Sequence, residues 1–149
     1  MTIKLHGIDC DDFTGQYLET ALWASGVALP AAEGDLVDGC MDVDEDHPLH
    51  GISESDNCDG HFVLSDFTEE AIKAAFTECA RFQEENADDL CDEDDKHAGH
   101  DFWLTRNGHG AGFWDGDYEE SKGERLTKAS KAYGELYIWV DEAGSLHFE

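Results

Sequence analysis

The chain has 149 residues, and its 36 Asp and Glu against nine Lys and Arg give a formal net charge of −27. Duplex DNA carries about one charge per 1.7 Å of axis, so the chain bears the charge of about 46 Å of duplex on a body expected to be about 40 Å across. Such a surface repels nucleic acid, which excludes direct nucleic-acid binding, and it is attracted to the basic grooves that hold nucleic acid. A composition of 40% hydrophobic residues, with eight Phe, four Trp, four Tyr and only two Pro, supplies a core and excludes a disordered acidic tail.

The length fits one domain, residues 1–149. No apolar run approaches about 18 residues, and the opening Met1-Thr2-Ile3-Lys4-Leu5 lacks the apolar region of an export signal. No membrane contact is expected, and the expected compartment is the cytoplasm of a host cell. The five cysteines are an odd number without a CxxC pair, so free thiols are expected, with Cys79 as core filler.

In chain order, the first element is a helix from about Asp12 to Ser25. Asp12 is the expected cap, Phe13, Tyr17 and Ala21 recur at helical spacing, and Gly26 closes the helix. Residues 27–60 carry little periodicity and read as a long acidic loop, with the run Asp42-Val43-Asp44-Glu45-Asp46. A second helix is expected from Asp66 to about Asn86. Asp66 and Glu69 suggest a capping box, and Ile72, Ala75, Phe76, Cys79 and Phe82 form one stripe. The acidic run Asp88-Asp89-Leu90-Cys91-Asp92-Glu93-Asp94-Asp95 extends this helix by a turn at most before a break at Gly99.

From residue 100 the pattern changes to that of strands. The aromatic and β-branched stretch Asp101–Arg106 and the short Phe113-Trp114-Asp115 are expected to pair across a glycine-rich turn. A short helix around Glu124–Tyr133 ends at Gly134, and a second hairpin joins Leu136–Val140 to Ser145–Phe148. The four tryptophans all fall inside expected elements, so core packing is expected of each. The expected fold is therefore α+β, a small antiparallel sheet of about four strands in two hairpins, with about three helices packed against it.

The most distinctive segment is Gly99-His100-Asp101-Phe102-Trp103-Leu104-Thr105-Arg106-Asn107-Gly108-His109-Gly110-Ala111-Gly112-Phe113-Trp114-Asp115. It resembles a motif in a family of small acidic proteins encoded by phages and their bacterial hosts. The resemblance extends loosely over the C-terminal helix and hairpin and over Tyr17–Trp23, and leaves out residues 27–60. It implies a mobile-element origin and supplies no catalytic residues. Read from the residues themselves, His100, Asp101, Arg106, His109 and Asp115 are close enough in sequence to offer a general base with a charge partner. The plainer alternative is a tight hairpin in which His109 and Asp115 satisfy turn backbone. No P-loop or nucleophile elbow accompanies them.

Three pairs at i,i+3 spacing (His47/His50, Cys58/His61 and His97/His100) raise the question of zinc. Asp42-x-Asp44-x-Asp46 resembles the start of a calcium loop, but its sixth position is His47 and its twelfth Ser53. Neither pattern is complete, and no metal or other cofactor is expected. Lys122, Arg125, Lys128 and Lys131 recur along the last helix, where pairing with the chain's own acids is expected.

Residues 1–99 hold 26 acids and four bases, whereas residues 100–149 hold ten and five. The expectation drawn from this skew is an acidic inhibitor or DNA-like decoy. Its partner would be a basic nucleic-acid-binding protein of the host, such as a CRISPR effector or restriction enzyme. The contacts would be Asp42, Asp44, Glu45, Asp46, Asp88, Asp89, Asp92, Glu93, Asp94 and Asp95. Two alternatives stand beside it: a small hydrolase-like enzyme centred on the Gly-rich segment, and a salt-adapted acidic protein with a structural role.

Overall fold

A computed structural model describes residues 3–30 and 35–149; Met1 and Thr2, and residues 31–34 of the acidic loop, lie outside the described residues. The chain opens with a hairpin that the sequence reading missed, β1 (Ile3–Leu5) paired antiparallel to β2 (Ile8–Cys10). Its two-residue turn, His6-Gly7, has φ of 50° and 80°, the positive values that a tight hairpin turn requires. Helix α1 (Asp12–Ala24) follows at once. Its cap is Asp11, not Asp12, because the Asp11 carboxylate accepts the Thr14 N–H at 3.0 Å.

Residues 35–60 are largely irregular, with one short pair, β3 (Leu36–Val37) and β4 (Cys40–Met41). The loop is pinned by burial of Leu49, Ile52 and Cys58. Backbone bonds from Val27 N–H to Asp56 O and from Cys58 N–H to Ser25 O tie it to the end of α1. Two single 3₁₀ turns, Cys58–Gly60 and Leu64–Asp66, lead to α2 (Glu69–Glu85). The expected Asp66/Glu69 capping box is not formed. Asp66 instead accepts the N–H of Val63, and Thr68 caps α2 through the Ala71 N–H.

The next two helices are α3 (Ala87–Leu90) and α4 (Asp95–Arg106). Here the structure corrects the expected Gly-rich hairpin, since Asp101–Arg106 is helical and Gly99 lies inside the helix it was expected to break. Asp94 caps α4 through the Lys96 N–H. From Ala98 to Arg106 only His100 escapes full burial, so this stretch of α4 has no exposed face and shows no amphipathic period. Aromatic and β-branched residues then suggest a strand, and tertiary packing overrides that preference.

Residues 107–118 form a loop folded back on α4. The Thr105 hydroxyl accepts the Phe113 N–H at 3.0 Å, and a Cβ on Gly112 would stand 2.3 Å from that hydroxyl oxygen. Helix α5 (Glu120–Lys131) ends near Gly134, whose φ is 79°. The expected final hairpin is present as β5 (Ile138–Val140) and β6 (Leu146–Phe148). The fold is thus α+β, with five helices and three separate two-stranded antiparallel sheets among the described residues where about three helices and one sheet of about four strands were expected.

The core forms where α1 crosses α4. Phe82 stacks on Phe102 with ring centroids 4.0 Å apart, and Tyr17 meets Trp103 edge-on at 5.3 Å. Of the four tryptophans only Trp103 is buried; Trp23, Trp114 and Trp139 are exposed, which corrects the expectation of four core residues. Phe76 is likewise exposed, at the edge of the α2 stripe, whereas Cys79 is fully buried. All five cysteines are free thiols. No helix among the described residues is long and apolar enough to cross a membrane.

Candidate functional site

Helix periodicity, not hairpin pairing, assembles the site. Residues 97 and 101 lie one turn apart on α4, so the His97 Nε2 comes within 2.9 Å of the Asp101 Oδ2. The same oxygen accepts the hydroxyl of Tyr118 at 2.8 Å, and Asp117 approaches His97 at 3.4 Å. His100 points to the neighbouring helix, where its Nδ1 shares a 2.8 Å hydrogen bond with the Thr20 hydroxyl. Asp115 accepts the Gly112 N–H at 3.2 Å, which closes a turn within the loop. His97, His100, Asp101, Asp115 and Asp117 border a cleft of about 360 Å³ that also takes in Gln16, Asp94 and Lys96.

Asp101 is only 2% exposed. Burial pushes its carboxyl above the ordinary value, opposed by the Tyr118 hydroxyl and by His97, and Asp115 pushes it further up. Tyr118 is driven far upward by burial and then by its bond to Asp101, so it remains a proton donor to the carboxylate. The arrangement sets an imidazole nitrogen 2.9 Å from a buried carboxylate oxygen at the wall of an acidic cleft, suited to taking up a cationic group or exchanging a proton.

The structure brings His100, Asp101 and Asp115 together and places the other two residues of the Gly-rich segment elsewhere. Arg106 is buried in the core side of α4. It donates to the Tyr17 hydroxyl, to Glu78 at 2.8 Å, and to the carbonyls of Tyr133 and Gly134, a packing role with no open face. His109 borders a different cavity of about 480 Å³, beside Trp103 and Tyr137. His97, Asp117 and Tyr118 were not singled out as members of this site by sequence. The i,i+4 relation of His97 to Asp101 was the available signal, hidden by the strand reading.

The acids expected to contact a partner fall in two places. Asp42, Asp44, Glu45 and Asp46 are exposed in a loop whose Pro48 lies against Gly144 of the β5–β6 turn. The second group runs along α3 and into α4. Asp89 is held by Arg125 at 2.7 Å, which lowers its carboxyl below the ordinary range, and Glu93 is held by Lys122 at 2.9 Å. Asp94 caps α4, while Asp88, Asp92 and Asp95 are exposed. This group continues through Asp94 into the cleft with Asp101, Asp115 and Asp117.

Lys122 and Arg125 thus pair with the chain's own acids, as expected, whereas Lys128 and Lys131, of which the same was expected, form no ion pair among the described residues. His61 bonds Asp56 at 2.7 Å, and among the described residues no group of three or more His, Cys, Asp or Glu side chains is placed to hold a metal ion. Compared with protein-family models, curated proteins and solved structures, the chain matches none.

Proposed function

We propose that the protein is an acidic inhibitor or decoy that occupies the basic nucleic-acid-binding surface of a host protein, with a CRISPR effector or restriction enzyme as the expected kind of target. One observation carries this reading. Among the described residues six of the nine cations are consumed in ion pairs with the chain's own acids, yet the band from Glu84 through Asp88, Asp92 and Asp95 to Asp117 stays exposed and anionic. A basic groove meeting this band gains the complementarity it has with phosphates, and association is steered by charge. The resemblance of the 99–115 segment to phage-encoded acidic proteins agrees with such a role.

The test is capture of partners from a bacterial lysate on immobilised protein at low and high salt, followed by elution with duplex DNA. The reading expects nucleic-acid-binding proteins that DNA displaces. Capture that DNA leaves untouched contradicts it.

A second reading, a hydrolase-like enzyme, draws on the His97–Asp101–Tyr118 cluster and its upward-shifted carboxyl. Loss of biological activity in a folded His97→Ala/His100→Ala variant that still captures its partner would favour it.

A further inference from the structure

Trp23 is 55% exposed and Val63 62%, and both line one cleft of about 450 Å³. One wall is the face of α1 that carries Gln16, Glu19, Thr20 and Trp23, residues at the i, i+3, i+4, i+7 spacing of a single helical face. The other is the chain leading into α2, with Asp59, Phe62, Val63 and Leu64. Phe62 is buried, and Glu19 and Asp59 are exposed. No Lys or Arg lines this cleft among the described residues.

The cleft shares Gln16 and His100 with the acidic cleft beside α4, so the two form one groove. His100 stands at the junction, bonded to the Thr20 hydroxyl at 2.8 Å, with its ring 5.8 Å from that of Trp23. One end of the groove is apolar and the other anionic. Glu19, Asp59, Asp94, Asp101, Asp115 and Asp117 line it, and among the described residues Lys96 is the one Lys or Arg that does. Exposed charge mainly speeds association and does not by itself tell one basic protein from another. Specific complexes draw most of their binding energy from a few well-packed contacts, in which Trp and Arg are enriched.

We propose that this groove receives an extended segment of the basic partner that carries a large apolar residue and an arginine. The apolar residue packs against Trp23 and Val63, and the arginine lies among the exposed Asp94, Asp115 and Asp117. Charge and apolar surface together select this occupant. An acidic segment is opposed along the whole groove, a purely apolar one leaves the anionic half unmatched, and a purely basic one leaves Trp23 and Val63 in water. Trp23 and Gln16 are two turns apart on α1, about 10 Å along its axis. An extended chain advances about 3.3 Å per residue, so the apolar residue and the arginine stand about three positions apart. The proposal rests on the decoy reading for the partner and adds the contact that sets the lifetime of the complex.

The first arm of the test needs no partner. The full chain is titrated with the peptide acetyl-Leu-Gly-Gly-Arg-amide, followed by amide and indole N–H shifts in nuclear magnetic resonance. Acetyl-Gly-Gly-Gly-Arg-amide lacks the apolar residue, and acetyl-Leu-Gly-Gly-Glu-amide carries the wrong charge. The proposal expects saturable binding with shifts at Trp23, Val63, His100 and Asp117, and at least about fivefold weaker binding of each control. Absence of saturation up to about 10 mM, or a control that binds as tightly, overturns it. The second arm uses the captured partner. Trp23→Ala/Val63→Ser should leave the melting temperature unchanged and dissociate about tenfold faster at about 50 and about 500 mM salt alike. Dissociation at the wild-type rate from a partner that DNA displaces overturns the groove and leaves the decoy reading standing. Capture that DNA leaves untouched contradicts the decoy reading, and the peptide titration then decides the groove.

Discussion

The backbone of Gly99 on α4 meets the carbonyl of Phe13 on α1 so closely that a Cβ at residue 99 would stand 2.2 Å from the carbonyl oxygen. This contact sets the distance between the two helices that carry most of the core. It also fixes where His97, His100 and Asp101 point, because all three project from the same helix.

Replacing Gly99 by Ala therefore reverses the usual sign of the substitution. In an exposed helix interior the change would stabilise by about 1 kcal/mol. Here the methyl group meets backbone that cannot rotate away, and a loss of about 1–3 kcal/mol is expected. Urea unfolding of the variant checks this, and a gain in stability would show that α1 and α4 are not in close contact at this point.

Arg106 tests the core from another side. Truncation to Ala leaves the buried Tyr17 hydroxyl, two carbonyls and the half-buried Glu78 without their donor. Breaking a buried pair in this way costs about 3–5 kcal/mol. The variant should accumulate poorly or unfold at much lower denaturant, and near wild-type stability would contradict the assignment of Arg106 to packing.

How much of this was legible in the sequence differs by element. α1, α2, α5 and the β5–β6 hairpin follow from spacing that alternates buried and exposed faces, as at Ile72, Ala75, Cys79 and Phe82. α4 has no such spacing, because Phe102, Trp103, Leu104 and Thr105 are all buried in succession, and the same composition suits a central strand. Losing α4 meant losing the site, since His97 and Asp101 meet only when four residues make one turn. The exposed Trp23 and Trp114 were illegible for a related reason, as aromatic content says what a residue gains on burial and not whether its face of the element is covered. Three of the Gly-rich segment's residues, His100, Asp101 and Asp115, nevertheless line one cleft, a proximity that the local density of titratable groups suggested.

Asp101 gives a pH prediction whose sign is fixed by its surroundings. Its folded value is raised, chiefly by burial, against the lowering effects of Tyr118, His97 and His100 and with a further rise from Asp115. A raised carboxyl binds its proton more tightly in the folded state, so its stabilising contribution is present below the ordinary carboxylate range and is lost as pH rises through the folded value. Asp101→Asn removes that loss. The melting temperature of the variant relative to wild type should improve as pH rises from the ordinary carboxylate value of about 4 through the raised folded value, and then level off. A difference that stays constant or moves the other way would show that His97 and Tyr118 more than offset the burial.

Self-repulsion of the acidic surface gives a salt prediction. Exposed charges are screened beyond about 8 Å at physiological ionic strength, so added salt relieves the repulsion in the compact state. The melting temperature should rise between about 50 and 500 mM sodium chloride. A melting temperature indifferent to salt would mean that internal pairs such as Arg125–Asp89 and Lys122–Glu93 already balance the surface.

The most direct test of the decoy reading uses a captured partner in purified form and four exposed acids that lie outside the chain's ion pairs. Glu84, Asp88, Asp92 and Asp95 are exposed and belong to no ion pair among the described residues. The combined variant Glu84→Gln/Asp88→Asn/Asp92→Asn/Asp95→Asn should fold as well as wild type and melt no lower. The measurement is the dissociation constant for the partner across about 50–500 mM salt, for wild type and variant side by side. The account predicts that wild-type binding weakens steeply with salt, that the variant binds at least about tenfold more weakly at the low end, chiefly through slower association, and that the two converge at the high end. Equal affinities that do not change with salt would contradict it and move the contact to an apolar face.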